Sequence, residues 1–285
     1  MAVLEKIKEF IEKEEIKLFK YSSFGGLQFL GAGGFGDVFR AYSEDKKEIV
    51  ALKKVRNEKE SFIREVKKIN KFNHENIIKF YGITQDDGTQ EYYMVLQFAN
   101  NEDLRGFLHN RFSELDWPTK IKMANEISRG INYLHSENIV HRDLHDKNIL
   151  VHDGRMIITD FGLSKSLENN SKSIDGGRAA YSAPEFLKNP EYSRDKPSDI
   201  YSLGMLFWQL SSGRPPFKNM TTQQIFLHVT YYKRESPING TPNDFVNLYC
   251  EAWNDDPKLR PEISVILHKL DSIQMKSVFH GGSTL

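Results

Sequence analysis

The pattern of apolar and polar positions divides the chain into two regions of different character. Between Leu27 and Phe98, short apolar runs typical of β-strands predominate, interrupted by one stretch with helical spacing at about residues 61–72. Between Asp103 and Ile273, apolar residues recur at intervals of three and four, as they do along one face of an α-helix. The pattern therefore predicts an α+β fold, in which a small sheet with one helix precedes a larger, mainly helical part.

The two regions meet at a polar stretch, Phe98–Leu104, where both periodicities are lost. We expect Asn100 or Asn101 to cap the helix that follows, because a short polar side chain there can accept a hydrogen bond from a free backbone N–H. The predicted N-terminal lobe covers residues 25–98, and the predicted C-terminal lobe covers residues 99–273. The cleft between two such lobes is the expected place for a ligand.

The two ends of the chain are expected to differ from these lobes. Residues 1–24 should form an amphipathic helical extension, because apolar residues fall on one side of a highly charged segment. These apolar residues are Val3, Ile7, Phe10, Ile11 and Leu18. A packing extension is the simpler interpretation, and a helix that binds a regulatory partner is the alternative. Residues 274–285, which end in HGGSTL, are expected to be disordered.

Composition and charge narrow the class of protein. The 285 residues are 39% hydrophobic, which is enough for a substantial core. Lys and Arg total 39 and so do Asp and Glu, so no overall electric field favours binding to nucleic acid or to a membrane surface. No apolar stretch approaches the roughly 20 residues of a membrane span, and the first residues carry too many charges for a secretory signal. We therefore expect a cytoplasmic protein.

A glycine-rich segment, Gly31–Gly36, lies between two predicted strands. Its GxGxxG spacing also occurs in dinucleotide-binding folds, but there the glycines open a helix, whereas here the strand-like run Asp37–Tyr42 follows. Residues without Cβ allow the backbone to close over phosphate groups. The next predicted strand carries Lys53, whose ammonium could neutralise phosphate oxygens. Glu65 in the predicted helix could hold that lysine, although a solvated edge lysine is the alternative.

Three further motifs follow in the C-terminal region, namely His141–Asn148 (HRDLHDKN), Asp160–Gly162 (DFG) and Ala183–Glu185 (APE). Together with GAGGFGDV and VALK, their order and spacing resemble those of the protein kinases over residues 25–272. The chain is most similar to the tyrosine kinase-like group of serine/threonine kinases. This resemblance implies a small antiparallel β-sheet lobe with one helix, a larger helical lobe, ATP in the cleft between them, Mg²⁺ as a second cofactor and a protein substrate.

The resemblance also implies a task for each polar group, because phosphoryl transfer depends mainly on positioning and charge neutralisation. Asp143 would be the catalytic base, with Lys53 and Asn148 as further catalytic residues. Asn148 and Asp160 would hold Mg²⁺, which prefers oxygen ligands. The implied ATP-binding residues are Leu30, Gly31, Ala32, Gly33, Gly34, Phe35, Gly36, Val38, Ala51, Lys53, Glu65, Gln97, Ala99 and Leu150.

Within that set, Val38, Ala51 and Leu150 would enclose the adenine ring, and the backbone at Gln97 and Ala99 would bind its edge. Elsewhere the resemblance implies structural roles. These roles are a core position for His141, a bond from Asp199 to the backbone of the catalytic loop, and an ion pair between Glu185 and Arg260.

The chain departs from the kinase pattern around the predicted base. Serine/threonine kinases usually carry Lys two residues after the catalytic Asp, where this chain has His145. Its basic residue is Lys147, at the position where tyrosine kinases place Arg. The segment Tyr181–Glu185 resembles that of serine/threonine enzymes, but the expected Thr before it is Arg178. We therefore predict transfer to Ser or Thr, with tyrosine or dual specificity as the alternative.

An alternative of a different class is a pseudokinase scaffold, which binds partners without chemistry. The retained Lys53, Asp143, Asn148 and Asp160 favour an active enzyme. Arg142 matches the residue that pairs with a phosphate on the activation segment, so regulation by phosphorylation is predicted. The candidate serines in that segment are Ser164, Ser166, Ser171 and Ser173. We expect replacement of Ser171 and Ser173 by Ala to lower activity.

Overall fold

The computed structural model describes residues 9–33, 36–54, 59–100, 102–160, 176–189 and 191–273, together with Met275 and Phe279, with the backbone alone at residues 32–33, 59–62, 64 and 176–177. The chain forms two compact units, and the division falls between Ala99 and Asn100. Several residues named above lie outside the described ranges: Val3, Ile7, Gly34, Phe35, Asn101, Phe161, Gly162, Ser164, Ser166, Ser171 and Ser173.

The N-terminal unit is built on a six-stranded sheet with the order β1-β5-β6-β4-β3-β2. Its elements are β1 (Leu18–Lys20), β2 (Phe24–Gly33), β3 (Gly36–Ser43), β4 (Glu48–Lys54), helix α1 (Lys59–Ile69), β5 (Phe80–Gln85) and β6 (Tyr92–Gln97). One face of the sheet packs into an apolar core formed by Phe19, Phe24, Ala41, Val50, Leu52, Tyr93 and Val95. The alternation of apolar and polar residues along the strands places these side chains on the same face.

The first strand departs from the sequence prediction in two ways. The α-helix predicted for residues 1–24 does not continue beyond residue 13, because Leu18–Lys20 form a strand, Tyr21–Ser23 form a short 3-10 helix and β2 begins at Phe24. In addition, β1 pairs in parallel with β5, whereas the other strand pairs of this sheet are antiparallel. Leu18 is 59% exposed and Phe19 only 3%, as expected for neighbouring residues on opposite faces of a strand.

The C-terminal unit is mainly helical. Its helices are α2 (Leu104–Arg111), α3 (Trp117–Ser136), α4 (Gly176–Ala179), α5 (Pro184–Lys188), α6 (Lys196–Ser212), α7 (Thr222–Thr230), α8 (Asn243–Ala252) and α9 (Ile263–Asp271), and a hairpin is formed by β7 (Ile149–His152) and β8 (Arg155–Ile158). Helix α6 is buried from Ser198 to Ser211 and packs against α3 and α8. A helix buried on all sides lies at the centre of its unit, so α6 is a fixed support for neighbouring loops.

The cap of α2 also differs from the prediction. Asp103 caps this helix, because its carboxylate accepts a hydrogen bond from the N–H of Gly106 at 2.9 Å. Asn100 instead binds the side chain and the N–H of Asp153. A cap must directly precede the first helical residue, and with α2 starting at Leu104 that place belongs to Asp103.

The expected disorder of residues 274–285 does not hold at Phe279. Its N–H donates to the carbonyl of Thr241 at 2.6 Å, and its carbonyl accepts from the N–H of Gly240 at 2.8 Å. The backbone of Phe279 is therefore hydrogen-bonded to Gly240 and Thr241, in the turn that precedes α8. Within the ranges that the structure describes, none of the helices has both the length and the hydrophobicity needed to cross a membrane.

Candidate active site

Lys53 and Glu65 form a buried ion pair in the N-terminal unit. Lys53 lies on β4 and Glu65 on α1, and Nζ is 3.1 Å from Oε1. Each side chain is only 5% exposed. A buried charge is costly to fold unless a partner of opposite sign is close, so the pair fixes the ammonium at this place in the sheet.

The glycine-rich segment connects β2 to β3, and Gly33 pairs with Gly36. Gly36 has φ +138°, which side chains with Cβ rarely adopt. A Cβ added at Gly31 would meet no atom within 4 Å, so the backbone there faces open space. Ala32 and Gly33 belong to the same hairpin. The described glycines of this segment therefore include one with open space where a side chain would lie and one with a φ that favours glycine.

The predicted adenine-binding residues of the N-terminal unit lie on neighbouring strands. Val38 on β3 pairs with Lys53, and Ala51 on β4 pairs with Leu96. The N–H of Gln97 donates to the carbonyl of Lys79 at 2.9 Å, so this amide is already used inside the sheet. The remaining predicted residues are Leu30 on β2, which is 47% exposed, the half-buried Ala99 after β6, and the half-buried Leu150 on β7 of the C-terminal unit.

The catalytic-loop motif is held by Asp199, near the start of α6. This carboxylate accepts hydrogen bonds from the N–H groups of His141 and Arg142, both at 2.8 Å, and lies 2.9 Å from Nε2 of His135. Arg142 has φ +69°, a left-handed conformation that costs a residue with Cβ roughly 1–2 kcal/mol. The hydrogen bonds to the buried carboxylate stabilise this strained backbone immediately before Asp143.

One oxygen of Asp143, Oδ2, faces two nitrogen donors. Nε2 of His145 lies 3.7 Å from it, and Nη2 of Arg178 lies 3.8 Å from it. Nδ1 of His145 accepts a hydrogen bond from the N–H of Lys147, which leaves the ring proton on Nε2, toward Asp143. The three residues line a cavity of about 10 Å³, which is close to the volume that one water molecule requires.

These neighbours keep Asp143 ionised. Burial raises its pKa, but the His145 imidazole, the Arg178 guanidinium and His141 together lower it to about 2. By contrast, burial lowers the pKa of His141, so its ring stays neutral, and Nε2 contacts the carbonyl of Thr159 at 3.0 Å. Asp143 can therefore accept a proton at neutral pH, whereas His141 is a structural group.

Asn148 and Asp160 flank the β7–β8 hairpin. Asn148 directly precedes β7, Asp160 follows β8, and Ile149 pairs with Ile158. The antiparallel pairing brings the two polar residues to the same end of the hairpin. The Nδ2 of Asn148 donates to the carbonyl of Asp143 at 2.8 Å, which orients the amide. An amide oxygen and a carboxylate fit Mg²⁺, which also binds substrate phosphates and water.

A second group of polar contacts supports the C-terminal unit away from Asp143. Arg260 binds both oxygens of Glu185, at 2.7 and 2.8 Å, and also donates to the carbonyls of Pro197 and Asn254. The guanidinium therefore connects α5, the start of α6 and the segment before α9.

The sequence interpretation missed the contacts of Asp146, which lies inside the HRDLHDKN motif. Its buried carboxylate accepts two hydrogen bonds from Arg105, at 2.7 and 3.0 Å, and one from Gln209 at 2.9 Å. Tyr181 donates to the side-chain oxygen of Gln209 at 2.5 Å. The acidic residue in the motif was the sequence feature that could have indicated these contacts. Its partners, Arg105 and Gln209, are 41 and 63 residues away and belong to no recognisable motif.

Comparison with known proteins agrees with this arrangement. Residues 26–270 match the family described as protein tyrosine and serine/threonine kinase. The chain is 30% identical to serine/threonine-protein kinase TNNI3K of Mus musculus, a match that covers 86% of this chain and 30% of the relative. It is 33% identical to mitogen-activated protein kinase kinase kinase 13-A of Xenopus laevis, over 92% of this chain and 26% of the relative.

A tyrosine-specific relative is similar to the same degree. The chain is 30% identical to tyrosine-protein kinase Fer of Homo sapiens, over 87% of this chain and 31% of that protein. The chain thus spans between 26% and 31% of the length of these relatives. The family match extends over most of the chain and includes every motif described above, so the chain belongs to the protein tyrosine and serine/threonine kinase family.

Proposed function

We propose that this chain is a kinase domain that transfers the γ-phosphoryl group of ATP to a Ser or Thr hydroxyl of a protein. The observation that carries the proposal is the state of Asp143, a buried carboxylate kept ionised by its neighbours on a loop that α6 holds in place. A general base must be deprotonated and fixed within reach of the acceptor hydroxyl, and Asp143 meets the first requirement at neutral pH.

The other residues have complementary roles in this proposal. Lys53, held by Glu65, binds phosphate oxygens, and the glycine-rich segment supplies backbone N–H groups to the same anion. Asn148 and Asp160 hold Mg²⁺, which neutralises phosphate charge when bound. Asp143 orients the acceptor hydroxyl and accepts its proton.

The choice of Ser or Thr as the acceptor rests on the Tyr181–Glu185 segment, and tyrosine or dual specificity is the alternative. Both classes occur among the relatives, so their names favour neither. A peptide library with Ser, Thr and Tyr acceptors in matched flanking sequences decides between them. We expect incorporation into Ser or Thr peptides to exceed that into Tyr peptides, and the reverse ratio would contradict the proposal.

We also propose a site for a regulatory partner, regulation by phosphorylation and a cellular location. A regulatory partner could act at the N-terminal extension, residues 1–24, of which Leu18–Lys20 form a strand of the sheet in the N-terminal unit. A phosphate group on the activation segment would pair with Arg142. A cytoplasmic location of the full-length protein is tested by cell fractionation.

The direct test of the proposal compares two carboxylate variants. With Mg²⁺, ATP and a generic protein substrate, Asp143→Asn should lower the rate of phosphoryl transfer by about 10²-fold or more, as expected for loss of a general base. The matched control is Asp87→Asn, an exposed carboxylate in the turn between β5 and β6, which should keep the wild-type rate. Equal rates for wild type and Asp143→Asn would exclude the role assigned to Asp143.

A further inference from the structure

Arg194 is a partly buried arginine that no motif includes, and it lies two residues before the start of α6. Its guanidinium stacks on the ring of Phe186, with Cζ 3.7 Å from the ring centroid. Nη1 donates a hydrogen bond to the backbone carbonyl of Arg142. The side chain therefore reaches from the N-terminal end of α6 to the residue that precedes Asp143.

With this contact, two side chains bind the backbone of Arg142, one at its N–H and one at its carbonyl. The N–H of Arg142 donates to Asp199, and its carbonyl accepts from Arg194, so both backbone polar groups of Arg142 are fixed. Arg142 has the left-handed φ of +69°, a conformation that persists only when its surroundings impose it. Asp195, which lies between Arg194 and Asp199 in sequence, caps α6 with a capping box. Both contacts with the backbone of Arg142 therefore come from residues just before or near the start of α6.

The carbonyl of Arg142 and the N–H of Asp143 belong to the same planar peptide group. Fixing the carbonyl therefore fixes the direction of the N–H, which donates to Nδ1 of His141 at 3.2 Å. The carbonyl of Asp143 is held in turn by Asn148 at 2.8 Å. Once these groups are fixed, the direction in which the Asp143 side chain leaves the backbone is fixed as well.

We propose that Arg194 is a positioning residue for the kinase reaction, which aligns Asp143 by holding the Arg142–Asp143 peptide group. Its effect on turnover rests on the proposed function. Burial lowers the pKa of Arg194, and the nearby carboxylates of Asp143 and Asp199 oppose this shift. Arginine suits the position better than lysine, because a planar guanidinium can stack on an aromatic ring while it donates in its own plane.

Two substitutions test the proposal. Arg194→Met keeps the aliphatic bulk but removes the donors, and it should lower kcat about tenfold or more while KM for ATP changes less than about twofold, because misplacement of a reacting group affects the chemical step. Arg194→Lys keeps one donor group and should recover part of the lost kcat. The matched control is Arg111→Met, which removes an arginine that is 57% exposed and should leave both constants unchanged.

Hydrogen exchange of the same variants gives a readout that does not require turnover. Arg194→Met should speed amide exchange in peptides covering residues 139–146 and leave the core of α6 protected. Unchanged exchange at residues 139–146, or faster exchange throughout the C-terminal unit, would overturn the proposal. If wild type and Asp143→Asn transfer phosphate equally, the proposed function fails, but the exchange comparison still decides whether Arg194 holds the loop.

Discussion

At the scale of single residues, the central feature is a carboxylate whose pKa lies below its ordinary value although it is buried. Burial alone would favour the protonated form of Asp143, so the opposite shift to about 2 is due to the cationic and polar groups around it. His145 and Arg178 face the same oxygen from two different segments, the catalytic loop and the end of α4. The state of Asp143 therefore depends on residues far apart in sequence.

This shift predicts how stability depends on pH. A carboxyl group whose pKa is lower in the folded than in the unfolded protein stabilises the fold above its unfolded pKa, here taken as 3.8, and this contribution is lost as the pH falls through about 2. Between pH 5 and pH 2, wild type should therefore lose about 2 kcal/mol more free energy of unfolding than Asp143→Asn. Denaturant unfolding of both proteins across this range measures the difference, and parallel curves would contradict the assigned pKa.

At the scale of elements, the N-terminal segment is an integral part of the sheet. The carbonyl of Lys17 accepts from the N–H of Ile83 at 3.0 Å, and the hydroxyl of Thr84 donates to the carbonyl of Phe19 at 3.0 Å. The carbonyl of Glu14 also accepts from the side chain of Asn70, just after α1, at 3.3 Å. The segment thus contacts both β5 and the end of the helix that carries Glu65.

Two neighbouring positions on β1 provide a matched pair of substitutions. Phe19→Ala removes a ring from the core and should lower the free energy of unfolding by about 3–5 kcal/mol. Leu18→Ala changes a side chain that is 59% exposed, and the effect should stay within about 0.5 kcal/mol. Thermal or denaturant unfolding measures both. Similar losses for the two variants would show that β1 does not insert Phe19 into the core.

Comparing these elements with the sequence shows which features could be predicted. Long periodic helices such as α3 and α6, and the strands around the glycine-rich segment, were visible because their apolar spacing extends over many residues. A strand of three residues, such as β1, is too short to show a period of its own, and its charged neighbours resemble an amphipathic helix. Its pairing with β5 depends on residues more than sixty positions away.

The same reasoning applies to the candidate site. The motifs indicated a contact between Lys53 and Glu65, and these groups are 3.1 Å apart in the structure. The contact of Arg194 with Arg142 is a bond from a side chain to the backbone, and any residue type presents the same carbonyl. Such a contact leaves no pattern in a single sequence, so the contact of Arg194 was found only in three dimensions.

At the scale of the whole molecule, the chain carries no net formal charge and spans about a third or less of the relatives compared with it. In the proposed function, recognition of an anionic nucleotide would therefore come from local groups, namely Lys53, the glycine-rich segment and a bound cation. A ligand that binds only the folded state raises its stability, by about 2.7 kcal/mol at a concentration one hundred times Kd.

Ligand-induced stabilisation gives a prediction for the intact chain. ATP with Mg²⁺ should raise Tm more than ATP alone, because Asn148 and Asp160 would hold the cation, which would neutralise phosphate charge. In Asp160→Asn the additional increase due to Mg²⁺ should be reduced or absent. Differential scanning calorimetry with and without Mg²⁺ measures this, and the same Mg²⁺-dependent increase in wild type and Asp160→Asn would argue against a metal role for Asp160.

The most direct measurement is the initial rate of γ-phosphate transfer from ATP to a protein substrate in the presence of Mg²⁺, determined for wild type, Asp143→Asn and the control Asp87→Asn. We predict that wild type and Asp87→Asn transfer phosphate at the same rate and that Asp143→Asn is slower by about 10²-fold or more. Equal rates for all three proteins, or no transfer by wild type, would contradict this prediction.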